Sequence, residues 1–426
     1  MLSSWWALRR AGWYTHESGF SAYGMLMAGD TRASSLQKIK VKDFANGAGA
    51  DASYLAYGCE NLISIDVSNT ANGDGATLTR AFSGAARVAT QAAIDARASG
   101  NTTPGTDGVI SIVDTGCGAG ADLSYVASDS PGLLVARITR VACGDALSGK
   151  VSSVAHALEG GYALTDVVLT DVASGSGADM TGVLAMSGGV ASEGDGNANL
   201  YGTTSSTLKV VRSGTNGACL DSAFEGTATA PGLTSAKIVY SGASGETSRE
   251  VGADVTSISP ATSAAALCAG TGADTLDLTG APDVAGTLAY LASGADKITR
   301  VSTDGSVGAG VLALPQGFGF GRVTSWASAF EGCASLTEIK VSGILGNASQ
   351  GYARASMRAF ARDCGRLETV ELTLPDLSDG SAGVPGGATD PWGAGTGVVS
   401  DLTKTPTATD LSFAFAGCPS LTTLDM

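Results

Sequence analysis

Three short stretches of the chain are near-copies of one another: Ala329-Phe-Glu-Gly-Cys-Ala-Ser-Leu-Thr-Glu-Ile-Lys-Val341, Ala359-Phe-Ala-Arg-Asp-Cys-Gly-Arg-Leu-Glu-Thr-Val-Glu-Leu372 and Ala414-Phe-Ala-Gly-Cys-Pro-Ser-Leu-Thr-Thr-Leu-Asp-Met426. Internal repetition narrows the possible folds more than any other feature here. A unit this short cannot bury its apolar residues alone, so it must stack on copies of itself, and a stacked array offers an extended surface rather than a single pocket.

Each unit has two halves. In the first, apolar residues fall three and four apart: Trp326, Ala329, Phe330 and Cys333; Met357, Phe360 and Cys364; Leu411, Ala414, Phe415 and Cys418. That spacing predicts a short helix with one apolar face. The second half, Leu-x-x-Ile-x-Val, alternates in the two-residue period of a strand, so Leu336, Ile339 and Val341 should face in while Thr337, Glu338 and Lys340 face out. The strand half recurs at Leu36–Val41, Leu62–Val67 and Leu164–Leu169, and diluted copies follow Phe82, Phe224 and Leu267. About ten or eleven units are expected, from near residue 25 to the end.

These residues resemble the BspA-like leucine-rich repeats of bacterial surface proteins, whose units carry a similar Phe-x-x-Cys-x-x-Leu-x-x-Ile-x-Ile run. The resemblance is specific in residues 326–341, 357–372 and 411–426 and fair in 53–67 and 153–169. It implies an α/β leucine-rich-repeat-like solenoid, curved, with short strands on the concave face and short helices or turns on the convex face. It also implies adhesion or protein binding at the bacterial cell surface, hence an extracellular location.

On this reading residues 1–24, which hold Trp5, Trp6 and Trp13, cap or tether a single solenoid spanning 25–426, with loop insertions near 187–206, 241–262 and 376–410. The last loop carries Trp392, a candidate binding anchor, whose plainer reading is a side chain packed back on the array. The outward strand residues Lys38, Lys40, Ser64, Asp66, Asp166, Val168, Glu338, Lys340, Glu368, Glu371, Thr423 and Asp425 form the candidate ligand-binding face, for a protein or glycan partner. Ordinary solvated surface is the plainer reading of each.

A net charge of −15 argues against nucleic acid or an anionic membrane as the main partner, because both require a basic surface. No apolar stretch is long enough for membrane insertion, and Met1–Leu8, followed by Arg9 and Arg10, does not read as a secretory signal. A structural component of a phage tail or surface assembly is therefore the alternative reading. Leu421–Met426 reads as a repeat strand with no cap after it, its edge open to aggregation.

No enzyme is expected. Only His16 and His156 titrate near neutrality, His156 as a partly exposed helix residue, and no catalytic motif converges on either. Gln316–Gly321 lacks the spacing of a nucleotide loop and reads as a glycine turn. No cofactor and no metal is expected. Gly-x-Gly-Ala-Asp recurs at 47–51, 118–122, 175–179 and 270–274, and the last copy, continuing Thr-Leu276-Asp-Leu278, resembles one calcium-binding nonapeptide, but the copies are not in tandem, which favours a turn role. Cys59, Cys333, Cys364 and Cys418 share one repeat position. With helices stacked about 8 to 10 Å apart they should stay free thiols, while Cys117, Cys143, Cys219 and Cys268 lack zinc spacing.

Overall fold

The Leu-x-x-Ile-x-Val halves do form strands, and these pair in parallel one after another. In the computed structural model the described residues are 18–26, 36–86, 108–161, 164, 166–187, 205–211, 213–214, 218–227, 235–241, 265–277, 286–302, 311–314, 323–342, 356–373 and 411–425. The strands are β1 (Lys38–Lys42), β2 (Ser64–Ser68), β3 (Gly108–Thr115), β4 (Leu133–Val141), β5 (Asp166–Val172), β6 (Ser205–Val211), β7 (Ser235–Ser241), β8 (Thr275–Asp277), β9 (Gly286–Thr287), β10 (Arg300–Ser302), β11 (Val311–Leu314), β12 (Val323–Ser325), β13 (Glu338–Ser342), β14 (Thr369–Thr373) and β15 (Thr423–Asp425). Thirteen of them make one sheet in chain order, and β9 pairs with β12 in a separate two-stranded ladder.

Register is kept along the sheet. Ile39, Ile65, Ile110, Ala136, Val167, Leu208, Ile238, Leu276, Val301, Leu312, Ile339, Val370 and Leu424 stand partner to partner in one row. Where side chains are described, this row is buried inside the array and rises to exposure only at its two ends. A slip of one residue would turn the whole row to solvent, which is why the register holds.

The first half of each unit is not helical: no helix occurs among the described residues. It is a run of tight turns whose N–H groups alternate between two kinds of acceptor. Ala329, Glu331 and Cys333 donate three residues back, to Trp326, Ser328 and Phe330. Trp326, Ser328, Phe330 and Gly332 donate instead across to Ser356, Arg358, Phe360 and Arg362 of the next unit. A helix would need every N–H for its own chain. Giving half of them to the neighbour converts the segment into a second hydrogen-bonded wall, opposite the sheet.

Two left-handed residues four positions apart mark this wall in each of the eleven units from Tyr54 onward, as at Tyr54 and Gly58, Ser328 and Gly332, or Phe413 and Gly417. The residues expected inside are inside nonetheless. Trp326, Ala329, Phe330, Cys333, Met357, Phe360 and Cys364 are all fully or almost fully buried, because inward positions spaced three, one and three apart mimic a helical face.

Counting Ala22–Leu26, twelve wall units follow one another by these cross bonds. The sheet has thirteen strands, more than the ten or eleven units expected from sequence. The surplus strand is β11: it stands between β10 and β13 in the sheet, whereas the wall segments around Tyr290 and Ala327 bond directly to each other.

Candidate functional site

The outward face of the sheet carries two files of side chains. One runs Lys38, Ser64, Val109, Val135, Asp166 and on to Glu338, Thr369 and Thr423; the other runs Lys40, Asp66, Ser111, Arg137, Val168 and on to Lys340, Glu371 and Asp425. All the predicted face residues except Glu368 therefore lie in these files, and Glu368 immediately precedes β14. They are not one cluster. Lys38, Lys40, Ser64 and Asp66 stand on β1 and β2, with Asp166 and Val168 on β5. Glu338, Lys340, Glu371, Thr423 and Asp425 stand on β13 to β15. Six strand steps of about 4.8 Å each separate β5 from β13, on the order of 30 Å.

Each group holds its own ion pairs. Lys40 Nζ lies 2.9 Å from Asp66 Oδ2, and Lys340 Nζ lies 2.8 Å from Glu338 Oε1 and 3.7 Å from Glu371 Oε1. The hydrogen bond to Glu338, reinforced by both carboxylates, lifts the Lys340 ammonium above its ordinary value. Exposed pairs of this kind hold side chains in place more than they hold the fold together. Ser111 and Arg137, unforeseen in sequence, complete the file between β2 and β5. The period-two alternation of Val109-Ile-Ser-Ile112 and Val135-Ala-Arg-Ile138 was the available signal. Trp392, His16, Trp5, Trp6, Trp13, residues 316–321 and most of the three loop insertions lie outside the described residues.

A second file runs along the wall, at the first left-handed position. Tyr54, Arg80, Tyr125 and His156 occupy it in four consecutive units. The Arg80 guanidinium sits 4.3 Å from the Tyr125 ring centre, and the Tyr125 and His156 rings stack at 4.7 Å and 10°. His156 is partly exposed as expected, but on a turn rather than a helix, and its Nδ1 lies 3.0 Å from Glu159 Oε2. Tyr23 and Tyr57 extend the file from Tyr54, at 5.2 and 5.3 Å between ring centres.

The Gly-Ala-Asp element takes the turn role in three of its four copies. Asp51, Asp122 and Asp179 each accept the N–H two residues on, from Ser53, Ser124 and Thr181, opening the wall segment as an Asx turn. Thr77, Ser153 and Cys219 fill the same position elsewhere, all joined in one parallel ladder. Burial draws the Asp51 carboxyl upward, but the bonds from Ser53 and Thr77 outweigh it and leave the group below its ordinary value. Asp274 differs: it stands just before β8, its carbonyl taking the N–H groups of Thr299 and Arg300.

The cysteines divide in an unexpected way. Cys117 and Cys143, at equivalent corners of adjacent units, form a disulfide with Cα atoms 4.6 Å apart. Adjacent units are spaced as strands are, which brings equivalent corners within bridging distance. Cys59, Cys333, Cys364 and Cys418 are free, as expected, for another reason: each Sγ donates back to a carbonyl of the preceding unit, at Leu26, Ala292, Phe330 and Ala361. Burial pushes the Cys268 and Cys364 thiols up to about 12 and raises Cys333 well above the ordinary value.

Among the described residues no group of three or more His, Cys, Asp or Glu side chains is placed to hold a metal ion, and no helix is long and apolar enough to cross a membrane. What the described residues define is an extended parallel β array with a polar strand face. Comparison with family models, curated proteins and solved structures gives no match.

Proposed function

We propose that the chain is a non-enzymatic binding protein: a leucine-rich-repeat-like solenoid, of BspA-like type, that presents its outward strand face to a protein or glycan at a bacterial surface. The observation that supports this reading most is the register of the thirteen strands, shifted only once among the described pairs of that sheet, between Gly108 and Val109, which sets outward residues in files across the face. Regular files suit a partner that makes many modest contacts, whether an extended chain or a repeating saccharide. The acidic group of Glu338, Glu368 and Glu371 around Lys340 and the basic group of Lys38, Lys40 and Lys42 give the face opposite ends.

The test is a screen of immobilised glycans and extracellular proteins, followed by the triple variant Glu338→Gln, Glu368→Gln, Glu371→Gln on each hit. Binding that falls at least tenfold with an unchanged melting curve supports the strand face. Binding untouched by the triple variant but abolished by deleting residues 380–405 moves the function to the loop that holds Trp392.

The second reading is a structural component of a phage tail or surface assembly. Neighbouring genes that encode tail or surface-layer proteins would support it.

A further inference from the structure

The wall position just after the second left-handed residue is always small. It holds Ala85, Ser130, Thr271 or Ala295 in other units, and cysteine in three consecutive ones, at Cys333, Cys364 and Cys418. All three thiols are held in the same way. Cys333 Sγ donates to the carbonyl of Ala292, Cys364 Sγ to that of Phe330 and Cys418 Sγ to that of Ala361, each at 3.2 Å, and these carbonyls occupy equivalent places in their units. A side chain repeated from layer to layer repeats at the layer spacing, so neighbouring sulfurs stand about 4.8 Å apart.

Sulfurs at that separation are unbonded to each other, but an ion midway between them lies about 2.4 Å from both, close to the roughly 2.3 Å of an ordinary metal–thiolate bond. Thiolate is the donor that soft ions such as Cu(I) select, and two opposed sulfurs satisfy such an ion, where zinc needs four ligands. The backbone tolerates the exchange of proton for metal. Ala292 and Phe330 keep the N–H groups of Ala295 and Cys333, at 3.1 and 3.2 Å, when the thiol donors leave. Burial is the larger influence on Cys364 and holds its thiol at about 12, with the N–H groups of Cys333 and Gly332 acting against it. A metal ion removes that obstacle, because a coordinating thiol is deprotonated outright.

We propose that this cysteine column is a binding site for a soft monovalent metal ion, held in line between Cys364 and one of its two neighbours, Cys333 or Cys418. Loading forms two metal–sulfur bonds and releases two thiol protons to solvent, with no change of oxidation state. Cys364 is the ligand common to both arrangements, so the column takes one ion. Cys59 and Cys268 take none, since the equivalent places in the next unit are Ala85 and Ala292. The site lies inside the wall and is independent of the strand-face reading above.

Titration of the 426-residue chain with Cu(I) under argon, in competition with the chromophoric chelator bicinchoninate, tests it. Alanine already fills this position at Ala85 and Ala295, so Cys→Ala variants should fold, which melting curves check. The wild type should withdraw one Cu(I) per chain from the chelator, release two protons and melt at a higher temperature when loaded. Cys364→Ala should lose the ion to the chelator. Cys333→Ala and Cys418→Ala should each keep it, while the double variant Cys333→Ala, Cys418→Ala should lose it as Cys364→Ala does; should Cys364→Ala fail to fold, the double variant carries the same test. A wild type that cannot compete with the chelator overturns the proposal, as does a Cys364→Ala or double-variant chain that still loads, or a loss in either flanking single variant.

Discussion

Phe330 and Phe360 meet edge to face, ring centres 5.3 Å apart and planes 78° from parallel, although they occupy different positions in their units. The cross bonds from Ser328 to Arg358 and from Phe330 to Phe360 align Phe330 with Ala361 and Phe360 with Ala329, so large and small side chains alternate between neighbours. Phe360→Ala should open a cavity flanked by Phe330 and Trp326 and destabilise the fold by about 3 to 5 kcal/mol. Phe413→Ala, at an exposed site, should change it by less than about 0.5 kcal/mol. Urea titrations followed by tryptophan fluorescence compare the two, and equal shifts would refute the packing described.

A column of glycines at the corner after each strand should be as sensitive. At Gly73, Gly118, Gly144 and Gly175 an added methyl group would fall on the carbonyl oxygen of the previous glycine in the column. Gly118→Ala is therefore expected to lower the melting temperature by several degrees, while Gly365→Ala, with nothing within 4 Å of the added carbon, should leave it unchanged.

The disulfide between Cys117 and Cys143 closes a loop of sequence separation 26. Chain-entropy arguments give such a closure about 3 kcal/mol. Reduction, or the double variant Cys117→Ser, Cys143→Ser, should cost about that much, and peptide mapping without reductant should recover this pair alone. A second bridge among the remaining cysteines would contradict the wall geometry.

The six free thiols should react in two classes. Cys59, Cys268, Cys333 and Cys364 should resist a water-soluble disulfide reagent at pH 8 in the native protein and react fully once it is denatured, while Cys219 and Cys418 should react in the native protein. Their raised pKa also sets a pH dependence. The protonated thiols favour the native state fully below the ordinary value of 9.0, and that contribution is lost as pH rises toward about 12 for Cys268. Urea midpoints should thus fall across this alkaline window, and fall less in a Cys268→Ala variant. Equal slopes would contradict the burial.

The strand half of the fold was legible because alternation survives in Leu62–Val67 and Leu336–Val341 whatever lies around them. The wall was not. Its inward set at Trp326, Ala329, Phe330 and Cys333 has helical spacing, and no local signal in Ser328 or Tyr54 announces a left-handed backbone or an N–H given to the next unit. The disulfide was missed separately, because Cys117 and Cys143 were weighed only as zinc ligands and nothing local places them at equivalent corners of adjacent units. The corner motif could have been found: Ala45-Asn-Gly, Ala71-Asn-Gly, Gly116-Cys-Gly, Ala142-Cys-Gly and Ala173-Ser-Gly follow successive strands or their equivalents, and the Gly-Ala-Asp copies are its visible tail. In the candidate face, Lys340 and Glu371 were readable from alternation alone, while the separation of the two charged groups depends on how many strands stand between them.

Strand β11 stands between β10 and β13 while the wall segments around Tyr290 and Ala327 bond directly to each other, so among the described residues the sheet side of the array is a layer longer than the wall side. A crystal with an extra half-plane has an edge dislocation, and its lattice tilts about that line. Here the line runs beside Val311–Leu314, where the sheet side holds one layer of about 4.8 Å that the wall side does not match.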